Sequence, residues 1–210
     1  MSRHFWAAMA DSEISVAWSR PPAPGDDLLL LLHGFEGTER DLEDRFPGLP
    51  PSVVTASLRA PVEQDAGHAW FLDDYGVKDA VDGVLAWLDT QKGFATVGVL
   101  GLSQGGAMAL ELLRKAPERF DYAVQLSGIL LGLDAAPSLA ERRPPVFSGH
   151  GELDEIVPKP DVAATNEWLA NHTELTVKDY VGMGHWISAA EADDVCAFVT
   201  DVLSRTDPRN

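Results

Sequence analysis

Cysteine is nearly missing from this chain: Cys196 is the one thiol in 210 residues. A lone cysteine excludes an internal disulfide and a cysteine-rich zinc site. Val195, Phe198, Val199, Val202 and Leu203 fall around it at helical spacing, so it reads as a small residue on a last helix rather than a reactive thiol. Positive charge is also scarce. Lys and Arg number 16 against 33 Asp and Glu, a formal net charge of −17. That field repels nucleic acid and anionic membranes, and it disfavours anionic substrates unless a local basic patch exists. No basic run is visible. Long apolar runs are lacking too: none reaches the ~18 residues of a membrane span. The stretch 5–10 is short for a signal peptide, and Asp11 follows it at once. The expected location is the cytoplasm.

No repeat, low-complexity tract or long linker is present. With 45% hydrophobic residues, the chain is expected to form one domain over 1–210 with a substantial core. Short β-prone runs at 14–18, 28–32, 53–58, 96–100, 122–126, 145–148 and 175–180 alternate with helical patterns. Residues 28–32 are five leucines without polar alternation, which suits a strand covered on both faces. Val77, Val81, Val84, Leu85 and Leu88 make one apolar helical stripe, and the residues around Cys196 make another. A less clean helix covers 161–170. The alternation predicts an α/β fold: a mostly parallel sheet with helices on both faces. Ligands of such sheets bind beyond the carboxyl ends of the strands. An open edge strand or the last helix would be the place for a homodimer contact.

What is present is Gly101-Leu102-Ser103-Gln104-Gly105, a G-x-S-x-G pentapeptide between an apolar strand and a helix-forming run. A serine on a strand-to-helix turn is the nucleophile elbow of α/β-hydrolases. The turn holds the hydroxyl out, and the next amide, on Gln104, opens a helix whose first N–H groups lack intrahelical partners. In this fold the nucleophile is followed by an acid and then by histidine. Of the histidines after Ser103, His172 precedes the last strand and His185 follows it, so His185 is the expected base. The loop after 145–148 carries Glu152, Asp154 and Glu155. Asp154 is preferred as the acid because Ile-Val-Pro follows and can pack the loop end, whereas Glu152 and Glu155 are expected to face water. The second oxyanion amide belongs to the loop after 28–32, on Phe35, with His33 bracing that loop.

At these places the chain resembles the phospholipase/carboxylesterase family of α/β-hydrolases. The matching segments are Leu32-His33-Gly34, the run Gly101 to Gly106, Gly149 to Pro158 with Asp154, and Gly184-His185; Arg59-Ala60-Pro61 and Ala69-Trp70-Phe71 also match. The resemblance implies a compact core with little or no lid and a Ser103–His185–Asp154 triad. It also implies oxyanion amides on Phe35 and Gln104, and no metal or organic cofactor. Trp70 falls where the family lines its acyl pocket, a core aromatic being the equal alternative. Two residues depart from the pattern: Glu36 and His68 stand where the family has glycine. Glu36 would hang over the site and repel anionic acyl groups. With the short chain, this points to a serine carboxylesterase acting on small to medium neutral esters. The alternatives are an acyl thioesterase or lysophospholipase, or a non-catalytic α/β-hydrolase that binds a ligand.

Overall fold

The computed structural model describes residues 14–206 except 73, 133, 135 and 136; the 5–10 stretch lies outside the described residues. Seven strands form the central sheet: β1 (Val16–Trp18), β2 (Asp27–Leu32), β3 (Val53–Leu58), β6 (Thr96–Leu102), β7 (Tyr122–Leu126), β8 (Pro145–Gly151) and β9 (Glu174–Tyr180). Their order is β1-β3-β2-β6-β7-β8-β9, all parallel except β1, which runs antiparallel to β3. Among the described residues the α-helices are α1 (Asp74–Thr90), α2 (Gln104–Lys115), α3 (Pro137–Arg142), α4 (Lys159–His172) and α5 (Ala189–Thr206). This is the mostly parallel α/β sheet expected from the alternation of elements, in the α/β-hydrolase architecture that the family resemblance implies.

The leucine run explains how the layers are held. Leu28, Leu30 and Leu32 join one buried cluster with Val81, Val84 and Leu88 of α1 and Met108, Leu112 and Leu113 of α2. Leu29 and Leu31 join the other, with Val195, Val199 and Val202 of α5 and with Leu42 and Phe46. Alternate side chains of one strand thus feed both faces, which is why no polar residue interrupts it. Each fully buried leucine contributes roughly 1.5–3 kcal/mol relative to leaving it exposed. Cys196 lies in the second cluster, and burial raises the pKa of its thiol.

Several boundaries differ from those read in the sequence. β6 runs on through Leu102 and β8 through Gly151, because neighbouring strands continue to pair with them past their apolar cores. A hairpin of β4 (Val62–Gln64) and β5 (Gly67–Ala69) and the short α3 carry too few residues to generate a period. Among the described residues no helix is long and apolar enough to cross a membrane.

β2 lies between β3 and β6, so the chain leaves the middle of the sheet in opposite directions on either side of it. The loops after β2 and β6 diverge at this switch point and leave a crevice beyond the strand ends. Helix α5 returns the chain beneath that crevice. Ser188 starts it: its carbonyl accepts from Ala192 N (3.0 Å) and its hydroxyl from Glu191 N (3.2 Å). The Glu191 side chain turns inward, where no donor among the described residues reaches either carboxylate oxygen. Burial, with Asp194 adding like charge, raises its pKa from 4.5 to about 8. The folded protein therefore keeps a proton that the unfolded chain releases between those values. The contribution of this group to stability is fullest below pH 4.5 and is lost as pH rises towards about 8. Glu191→Gln is expected to flatten that fall; urea midpoints measured across this range check it, and parallel pH profiles for the two proteins would contradict the assignment.

Candidate active site

Two glycines let α2 sit directly on the strand ends. A Cβ on Gly105 would lie 2.0 Å from the Leu32 carbonyl oxygen, and one on Gly101 would lie 1.9 Å from that of Gly105. The chain turns between them at Ser103, with φ 56° and ψ −118°. A non-glycine residue held there costs on the order of 1–3 kcal/mol. The turn is fastened at both ends: Ser103 N donates to Leu126 O (2.8 Å), and Ser103 O accepts from Ala107 N (3.0 Å) as the first rung of α2. The serine hydroxyl is left outside the helix and outside the sheet.

His185 and Asp154 meet it there. His185 Nε2 is 2.8 Å from Ser103 Oγ, and His185 Nδ1 is 2.7 Å from Asp154 Oδ2. An ionised carboxylate can only accept, so the proton of the neutral ring belongs on Nδ1 and Nε2 is left free to accept from the hydroxyl. Asp154 is buried, and its other oxygen accepts from the amides of Ile156 (2.9 Å) and Val157 (3.1 Å). Burial alone would raise its pKa; the His185 bond and these two amides outweigh that and lower it. The Ile-Val-Pro sequence thus serves the aspartate through backbone donors as well as packing. Glu152 and Glu155 are exposed, and buried His150 lies 3.8 Å from Asp154 through Nδ1. His172 is remote from the group, stacked on Trp168.

The loop after β2 approaches from the other side. A Cβ on Gly34 would contact that of Ser103 at 3.5 Å. Residues 34–37 form a turn closed by Gly37 N donating to Gly34 O (3.1 Å). Glu36 occupies its third position at φ 59°, in the left-handed region that glycine enters freely. Among the described residues no protein acceptor takes the amides of Phe35 or Gln104. His33 braces the turn: fully buried, it accepts from Ala60 N at Nε2 (3.0 Å), so its Nδ1–H donates to Gly34 O (2.7 Å). Burial lowers its pKa and keeps this neutral form.

Trp70 takes the core alternative. It is 1% exposed and does not line the cleft. Its indole N–H donates to His33 O (2.9 Å), so it supports the turn from below instead of touching a substrate. Gln104 has a role the motif did not reveal. Its side-chain oxygen accepts from Trp70 N (2.9 Å) and its amide nitrogen donates to Phe71 O (2.8 Å), pairing the 70–71 backbone with the start of α2. Only the spatial approach of two segments 33 residues apart exposes that bracket.

The hydroxyl opens into a cleft of about 520 Å³ between the 34–45 segment and the 185–187 loop. Phe35, Leu42, Leu102, Ile156, Trp186 and Ile187 give it apolar walls, and Glu36, Asp41 and Arg45 give it charge. The 34–45 wall is tied down by Glu39, whose carboxylate takes Arg59 in two bonds (2.7 and 2.5 Å) that lower its pKa to about 2. Among the described residues no group of His, Cys, Asp or Glu is placed to hold a metal ion. The arrangement can lend a hydroxyl its proton acceptor and offer two unpaired amides to a developing negative charge.

Known proteins resemble this chain in sequence and in fold. The sequence profile described as Phospholipase/Carboxylesterase matches residues 84–203. Acyl-protein thioesterase 1 of Eremothecium gossypii is 27% identical over 177 residues, covering 78% of this chain and 75% of that one. The Saccharomyces cerevisiae protein of the same name is 28% identical over 184 residues, covering 76% and 77%. Zea mays acyl-protein thioesterase 2 superposes with a TM-score of 0.74 at 25% identity, covering 90% of this chain and 99% of that one. The Bacillus cereus carboxylesterase shares the fold, with a TM-score of 0.78 at 18% identity over 93% and 98% of the two chains. The chain belongs to the phospholipase/carboxylesterase family of α/β-hydrolases.

Proposed function

We propose that this protein is a serine carboxylesterase, acting as a single domain on small to medium carboxylic esters. The observation that carries the reading is the continuous run of hydrogen bonds Ser103–His185–Asp154 at the floor of the cleft. In the first step Ser103 Oγ attacks the ester carbonyl carbon while its proton passes to His185 Nε2. The carbonyl oxygen becomes an oxyanion, held by the amides of Phe35 and Gln104. Asp154 keeps the ring in its Nδ1–H form and stabilises the imidazolium. The carbon–alkoxy bond then breaks, and the alcohol leaves with the proton from Nε2. Water repeats the sequence: it attacks the acyl carbon, gives a proton to Nε2, and the acyl–Oγ bond breaks with the proton returned to Ser103. A carboxylic acid is released, and no metal or organic cofactor takes part.

The names of the relatives favour a second reading, cleavage of acyl thioesters. The same three residues perform either reaction, because thioester and ester carbonyls pass through the same kind of tetrahedral oxyanion. The cleft volume is ample for a small to medium acyl group in both readings.

Three measurements test these assignments. Ser103→Ala is expected to lower ester hydrolysis at least about a thousandfold with an unchanged melting curve; retained turnover would remove Ser103 from the mechanism. Asp154→Asn should cost about 10⁴ in kcat by favouring the wrong imidazole tautomer, whereas Glu152→Gln should change little. The opposite ranking would move the acid to Glu152. Finally, p-nitrophenyl esters of increasing length, each matched by its thioester, should be cleaved best at short and medium acyl groups. A maximum at long chains contradicts the size assignment, and a strong sulfur preference decides for the thioesterase.

A further inference from the structure

Arg45 is the cleft residue that neither the triad nor the oxyanion turn uses. Every other described arginine gives a terminal guanidinium nitrogen to a carboxylate or a carbonyl oxygen. Arg45, an exposed residue at the rim of the cleft, gives only its Nε, to Asp41 O at 3.3 Å, and among the described residues its terminal nitrogens meet no protein acceptor. The acids that could have taken them are engaged elsewhere or out of range. Asp41, one helical turn away, accepts from Thr38 Oγ1 (2.7 Å) and Thr38 N (3.1 Å). Glu43 pairs with Arg40 (2.9 Å). Glu36 lines the same cleft without forming an ion pair with Arg45. In a chain of net charge −17, a guanidinium left free in the same cleft as Ser103 and His185 is a conspicuous donor set.

We propose that Arg45 is a specificity-determining residue that binds a carboxylate carried by the ester substrate. The inference rests on the serine-esterase reading above and names the substrate class for it: half-esters, with a carbonyl for Ser103 and a free carboxylate at the other end. A planar guanidinium with two unpaired edges matches a carboxylate in paired hydrogen bonds. Leu42, Leu102 and Ile187 line the same cleft and suit a methylene spacer. A phosphate would fit the same donors. Its second negative charge, however, would meet Glu36, Asp41 and the acidic field of the whole chain, so a monoanion is favoured. The residues of the sequence pointed to neutral esters through Glu36; the free guanidinium in the same cleft reverses that charge preference.

The test compares p-nitrophenyl hydrogen adipate with p-nitrophenyl hexanoate, which match in chain length and differ in the terminal carboxylate. The quantity read is the ratio of their kcat/KM values. Wild type is expected to favour the adipate. Arg45→Met should lower the ratio about twofold to fivefold, the range for a solvent-exposed ion pair. Arg45→Lys should keep part of the preference, and Glu36→Gln should raise it by removing the like charge. If wild type cleaves the hexanoate but the ratio is the same in Arg45→Met, the inference is overturned and the esterase reading stands. If neither ester is cleaved and a fluorophosphonate fails to label Ser103, the esterase reading falls and takes this inference with it.

Discussion

The close approach of α2 to the ends of β2 and β6 is the constraint on which the rest of this structure depends. Gly105 lies so near the Leu32 carbonyl, and Gly101 so near that of Gly105, that no side chain could be carried at either position. The chain can make that contact only by turning sharply, and the turn falls on Ser103 at a positive φ. Strain at one residue is held by contacts on every side: a rung to β7, the first rung of α2, and the packing of Met108, Leu112 and Leu113 into the sheet. Helical stability here comes from tertiary packing, and the half-buried serine at the turn is its by-product.

Around that contact, support and chemistry are divided among residues that look alike in sequence. His33 and His185 are both histidines beside glycine, yet one is sealed in the core as a neutral clamp and the other sits partly open between a carboxylate and a hydroxyl. Trp70 and Trp186 divide similarly: the first carries the turn from below, the second is a wall of the cleft. Burial makes the difference. A ring with both nitrogens satisfied by backbone groups has no capacity left for proton transfer, whereas one with a carboxylate on one side keeps the other nitrogen basic.

The acidic loops around the cleft are not equivalent either. Asp154 is buried and amide-bonded, Glu39 is locked to Arg59, Asp41 caps Thr38, and Glu36 stays free on a turn whose geometry suits glycine. The charge lining the cleft is therefore that of Glu36, Asp41 and Arg45. Composition reports the sum; it carries no information about which charges cancel within a few ångströms.

The sequence by itself determined the layered α/β plan, the elbow at Ser103 and the order of its partners. Those features depend on local periodicity and on glycines, and periodicity survives in one dimension. Leu28 to Leu32 announced a strand buried on both faces because each residue must meet an apolar neighbour. The β4–β5 hairpin, the inward turn of Glu191, the Gln104 bracket and the core seat of Trp70 were decided only by tertiary structure. The Gln104 bracket and the Trp70 seat depend on partners 34 and 37 residues away, brought close when the sheet closes its order. Whether a polar group is paired, and so whether it stabilises, catalyses or waits for a ligand, is a property of distance in space. Arg45 is the clearest case: one arginine among many in the sequence, it is distinguished by the acceptors that the folded chain withholds from it.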